Sequence, residues 1–190
     1  MLSSPDAFTT LMKRATLPVL LVTFFLGLIV VSCGPGTSPA TPVSGFDSTR
    51  YLGTWYEIAR LPHRFERGLT DVTARYSKND DGTIKVVNRG WSASEDEWKE
   101  SNGKARFTQT PDIGQLEVSF FGPFYGLYTV AELDPNYGWA MVVGPGTDYF
   151  WILSRTPELD ESIVERLIAR AGELGIDTSK IERVSQERAR

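Results

Sequence analysis

Cysteine occurs once in the 190 residues, at Cys33, which excludes an intramolecular disulfide and leaves packing to hold the fold together. Histidine also occurs once, at His63. With no second cysteine or histidine near it, the usual ligand set of a zinc site is missing, so neither a metal nor another cofactor is expected. Basic residues are in the minority, 20 Lys and Arg against 24 Asp and Glu, and they gather into no patch. Nucleic acid is therefore not an expected partner, because neutralising phosphates needs concentrated positive charge. No nucleophile stands beside a base, which argues against an enzyme. Helical periodicity is absent between Phe46 and Thr156.

What is present begins with a targeting segment. Lys13 and Arg14 precede an uncharged apolar run from Ala15 to Val31, the basic and hydrophobic regions of an export signal. The run meets Val30-Val31-Ser32-Cys33, which resembles the lipobox of bacterial lipoproteins, where the cysteine receives lipid and becomes the new amino terminus. Two other readings compete: an inert thiol after an ordinary signal peptide, and an uncleaved anchor helix, since the run approaches bilayer length. In each case the basic residues keep the amino terminus inside and place the following domain beyond the inner membrane. The expected organisation is a lipoprotein signal peptide over 1–32, a flexible Gly/Pro/Ser-rich tether over 33–45 and one domain over 46–190. Gly34 in place of an aspartate after Cys33 favours the outer membrane in a Gram-negative cell. Removing the signal takes Lys13, Arg14 and Asp6, so the mature chain is one unit more negative and its lipid, not its charge, would hold it to a membrane.

The domain reads as short aromatic and β-branched runs divided by turn signals. The runs are Thr54 to Leu61, Asp71 to Tyr76, Thr83 to Trp91, Trp98 to Thr108, Gln115 to Phe121, Tyr125 to Leu133, Trp139 to Val143 and Tyr149 to Arg155. Separators such as Asn79-Asp80-Asp81-Gly82 and Gly144-Pro145-Gly146 carry turn chemistry. The predicted fold is all-β, an eight-stranded antiparallel up-and-down barrel that closes on itself and so leaves no edge, with a sandwich as the alternative. Alternation turns Val72, Ala74 and Tyr76 to one face, Ala105 and Phe107 to another, and Leu116, Val118 and Phe120 to a third. In the first run the parity is awkward, because Trp55 shares a face with Glu57: either Glu57 is a buried, partnered carboxylate or a bulge re-aims the strand. After Thr156-Pro157, Asp160 caps a predicted helix running to about Leu174. Its stripe of Ile163, Leu167, Ala171 and Leu174 would lie against the outside of the barrel.

Counting strands sends Arg155, at the end of the eighth, back beside Trp55 in the first, where a guanidinium can lie over the indole. Asp134 to Tyr137 reaches the same end. These three stretches, Gly53-Thr54-Trp55, Asp134-Pro135-Asn136-Tyr137 and Arg155, resemble in order the three motifs of the lipocalins. The wording of Tyr51 to Arg60, His63 to Gly68, Phe120 to Gly126 and Trp151 to Pro157 is most similar to the bacterial lipoprotein branch of that family. The resemblance implies that Gly53, Trp55, Asp134, Tyr137 and Arg155 are structural, at the closed end. It also implies that a fatty acid or lysophospholipid is bound in the barrel at the cell envelope. The expected ligand contacts are Tyr76, Phe107, Leu116, Val118 and Phe120 inside and Phe65, Phe121, Phe124 and Tyr125 at the mouth. Arg64 and Arg67 are expected to meet an anionic head group. Membrane association through the amino-terminal lipid is expected and a homodimer is left open. An envelope interaction module with an incidental pocket and an enzyme on the same scaffold are the other classes.

Overall fold

The computed structural model describes residues 36–189. The expected signal segment, Cys33 and the start of the tether fall outside them. Eight strands follow in chain order: β1 (Gly53–Arg60), β2 (Leu69–Lys78), β3 (Ile84–Ser92), β4 (Glu97–Phe107), β5 (Gln115–Phe121), β6 (Phe124–Leu133), β7 (Trp139–Val143) and β8 (Phe150–Ser154). Each pairs antiparallel with the next, and β1 pairs with both β2 and β8, so the sheet is a closed barrel and the sandwich is excluded. A ninth strand, β9 (Glu182–Arg183), adds to the outer half of β1 through Ala59 and Arg60.

Alternation divides the apolar residues into two clusters. Inside the barrel lie Trp55, Tyr76, Val86, Ala105, Leu116, Val130, Val142 and Leu153. Outside, Ile58, Ala59, Met141, Val143, Phe150 and Ile152 form a floor for helix α2 (Glu161–Glu173), which buries Val164, Leu167 and Ala171 upon it. Asp160 caps that helix by accepting from the Ser162 N–H at 2.8 Å, and Gly175 ends it at φ +82°. The expected stripe is therefore shifted: Val164 is fully buried, while Ile163 and Leu174 pack at its margins. Among the described residues no helix is long and apolar enough to cross a membrane.

The awkward parity of the first strand has both answers at once. The β1–β8 register shifts between Glu57 and Ala59, so a bulge at Ile58 turns Ala59 outward under the helix and Arg60 inward. Glu57 stays inward, buried, and receives the Arg60 guanidinium at 2.8 Å.

Residues 36–45 differ from the free tether expected. The Thr37 carbonyl accepts from the Gly146 N–H at 2.8 Å, Ala40 is buried in the outer cluster, and Val43 both donates to Val130 O and accepts from the Gly114 N–H at 2.9 Å. Unpaired backbone groups there find partners, and the segment runs like a strap from the loop after β7 to the turn before β5. It leads through Phe46 into a short helix, α1 (Ser48–Tyr51), capped by Asp47, which lies across one end of the barrel.

Candidate functional site

The end covered by α1 is sealed by Trp55 and Arg155. Trp55 is fully buried and donates its indole N–H to the Tyr51 carbonyl at 2.8 Å. The Arg155 guanidinium sits 3.9 Å from the indole ring and donates to the carbonyls of Thr54 at 2.9 Å, Arg50 at 2.6 Å and Tyr137 at 3.3 Å. Asp134 accepts from the N–H groups of Asn136 and Gly138 and so holds a turn in which Tyr137 takes φ +63°. The Tyr137 hydroxyl accepts from the Asp47 N–H at 2.7 Å, tying that turn to α1. Gly53 at φ +98° admits Arg155, whose Nη1 would stand 3.3 Å from any Cβ placed there.

Above this floor is a cavity of about 380 Å³. Most of its wall is apolar, with Val72, Ala74, Val86, Val118, Phe120, Leu127 and Leu153 lining it, and Glu57, Glu66, Asn88 and Ser101 add polar groups. At its base the Tyr128 hydroxyl is 2.8 Å from that of Tyr51 and 3.0 Å from that of Tyr76. Burial pushes all three phenols up, so they stay neutral. Nearer the opening stands a buried polar cluster. Arg60 Nη1 bonds Glu57 Oε1, and Nη2 bonds the carbonyls of Glu66 at 2.9 Å and Leu69 at 3.1 Å. The Trp151 indole N–H donates to Glu66 Oε2 at 3.3 Å, and His63 Nε2 lies 3.2 Å from the same oxygen. Burial pushes both carboxyls up; the Glu66 charge adds to the effect at Glu57, where Arg60 opposes it, and at Glu66 the Trp151 hydrogen bond and then Arg60 oppose it. The pair therefore keeps a proton at pH values where exposed glutamates have lost theirs. His63 is pulled the other way, to about 4, by burial and then by the Arg60 charge, so its ring is neutral at pH 7.

The mouth lies opposite α1. Phe65, Phe121 and Phe124 stand there 62%, 80% and 79% exposed, all bordering the cavity together with Pro145 and Tyr149. Of the interior residues expected to meet a ligand, Tyr76, Val118 and Phe120 line the cavity. Phe107 and Leu116 do not: they pack toward the closed end, where the Phe107 ring meets Phe46 at 6.3 Å. Tyr125 is also outside it, under the guanidinium of Arg106 at 4.3 Å, because the β5–β6 register shift near the hairpin turns Phe121 and Phe124 to the opening instead. Arg64 and Arg67 are exposed beside Phe65 and do not line the cavity. The sequence does not reveal the polar cluster as a unit; the parity conflict at Glu57 is its one signal. Among the described residues no group of His, Cys, Asp and Glu could hold a metal ion.

The sequence profile of the lipocalin-like domain matches residues 46–186. The chain belongs to the lipocalin family. This lipocalin is 51% identical over 160 residues to the outer membrane lipoprotein Blc of Escherichia coli (strain K12), covering 83% of the chain and 90% of that protein. It is 36% identical to the temperature-induced lipocalin-1 of Arabidopsis thaliana, covering 76% and 81%. In fold it is similar to insecticyanin from Manduca sexta, at TM-score 0.64 and 23% identity over 82% of this chain and 89% of that one. The lipocalin is thus a homologue of outer membrane lipoproteins with an apolar cavity of small-ligand size.

Proposed function

We propose that this lipocalin binds a single-chain lipid, of the fatty acid or lysophospholipid class, and carries it at the cell envelope while anchored by lipid on Cys33. The observation that carries the reading is the cavity of about 380 Å³, largely apolar along its walls and bordered by the exposed Phe65, Phe121 and Phe124. Each methylene buried there contributes roughly 0.8 kcal/mol before ordering costs, so a hydrocarbon chain is the ligand such walls favour. The similarity to outer membrane lipoproteins supports the same address for the anchor. Binding rather than catalysis is the activity that the lipocalin match supports, and His63 is buried against Glu66 and aromatic rings.

Native mass spectrometry of the protein extracted in a mild nonionic detergent tests the carrier reading. A co-purifying single-chain lipid is expected; a barrel that arrives empty and ignores added acyl lipids would sink it. Metabolic labelling with palmitate tests the anchor, with label expected on the native chain and absent from Cys33→Ala.

A further inference from the structure

The cavity wall presents carboxyls where an anionic head group would need a cation. Arg60 is buried and does not border the cavity; its Nη1 and Nη2 are spent on Glu57 and on the carbonyls of Glu66 and Leu69. Glu57 and Glu66, 4% and 8% exposed, stand between it and the open space. Among the described residues, the two cations that do border the cavity are turned to other partners. Lys99 Nζ is bonded to Glu95 and Glu97, and the Arg89 guanidinium lies 3.9 Å over the Trp98 ring. Around the acid pair stand aromatic faces. Tyr149 and Trp151 are stacked at 6.1 Å, His63 meets Trp151 at 5.1 Å and Phe65 at 4.7 Å, and Phe65, Tyr149 and Trp151 all border the cavity. Aromatic rings beside a desolvated carboxylate are the chemistry that recognises an alkylated ammonium group.

We propose that Glu57, Glu66 and the rings of Phe65, Tyr149 and Trp151 form a subsite for the ammonium group of a cationic or zwitterionic single-chain amphiphile. The inference rests on the carrier reading and narrows its ligand class. Charge balance supports it. With both carboxylates ionised beside Arg60 the cluster carries one net negative charge, which a single ammonium neutralises; without one, a proton held by the pair does the same. Ligand binding therefore displaces that proton. The other titratable groups facing the pair do not compensate. His63 is neutral, Tyr76 on β2 is neutral, and Glu182 on β9 meets only the outer side of Arg60, 3.8 Å from Nε.

The test uses the full chain in nonionic micelles and three probes of one chain length: dodecyltrimethylammonium, dodecanol and dodecanoate. Each competes with a fluorescent acyl reporter, against the native protein, Glu66→Gln and Glu57→Gln, with near-ultraviolet circular dichroism confirming that each variant is folded. The native protein is expected to take the ammonium probe about tenfold more tightly than the alcohol, and dodecanoate least tightly. Glu66→Gln should bring the affinities for ammonium and alcohol within about twofold of each other. Affinity for the ammonium probe alone should rise from pH 6 to pH 9. A preference that survives in a folded Glu66→Gln protein, or a native protein that binds the reporter and favours no probe, overturns the subsite and leaves the carrier standing. A native protein that takes up neither reporter nor probe overturns both.

Discussion

Arg155 gathers three carbonyls from two distant stretches of the chain, those of Arg50 and Thr54 and that of Tyr137, and covers the Trp55 indole with the same guanidinium. With no disulfide available, this one side chain does the work of a clasp at the closed end. Arg155→Ala is expected to lower stability by about 2 kcal/mol and Trp55→Ala by about 3–5 kcal/mol. Reporter affinity should change little in either variant; urea unfolding monitored beside reporter titration checks both halves of the statement. At the other end, His63 and the acid pair pull stability in opposite directions with pH. His63 binds its proton near 6.5 when unfolded but only near 4 when folded, so the unfolded chain is protonated first and stability falls as pH drops through that window. Glu57 and Glu66 have raised values, so the folded chain keeps a proton that the unfolded chain releases above about 4.5, and stability declines as pH climbs from there. His63→Gln should flatten the loss of thermal midpoint between pH 6.5 and 4, whereas Glu57→Gln should flatten the alkaline decline. An unaltered acid limb in His63→Gln would show that its proton is not what the fold excludes.

The elements most legible in the sequence were those set by local chemistry. Eight alternating runs between turn signals became eight strands, and Asp160 and Gly175 marked where α2 begins and ends. The illegible ones are decided from a distance. β9 is two charged residues with no strand pattern of its own, and it pairs with Ala59 and Arg60 beyond the bulge at Ile58, where β1 no longer pairs with β2. Gln186 fills the resulting gap, its amide donating to Glu57 O at 2.8 Å and Val72 O at 2.9 Å. That bulge also aims Arg60 inward, which is why the polar cluster could not be assembled from the sequence: its geometry depends on a residue at the far end of the chain. Phe107 and Leu116 do face inward, but alternation gives a face and not a depth, and both lie below the cavity. Gln186→Ala leaves two buried carbonyls without a donor and is expected to cost about 1–3 kcal/mol. Leu167→Ala, opening a hole under α2, is expected to cost about 2–5 kcal/mol. If chemical denaturation found Gln186→Ala neutral, the gap between β1 and β2 would be closed by something other than this amide.

At the scale of the whole molecule the barrel has a sealed end, held by Arg155, and an open end rimmed by exposed phenylalanines. The strap formed by residues 36–45 connects the two. Thr37 is bonded to Gly146 and Gly36 lies against Pro145, both in the loop at the rim, and only later does the chain descend to Gly114 at the other end. Cys33 is therefore no more than four residues from the rim, a reach of at most about 14 Å, whereas an eleven-residue strand such as β4 spans about 37 Å. A lipid on Cys33 would suspend the barrel by its mouth, with Phe65, Phe121 and Phe124 turned to the bilayer that holds it. Inserting about twenty Gly and Ser residues between Cys33 and Thr37 should then slow uptake of a fluorescent lipid from the protein's own membrane while leaving equilibrium occupancy unchanged. Equal uptake rates from tethered and lengthened protein would mean that the ligand travels through water. Were Cys33 lipidated, the short strap would narrow the aqueous gap that a monomeric lipid has to cross, and the anchor would become part of the loading step.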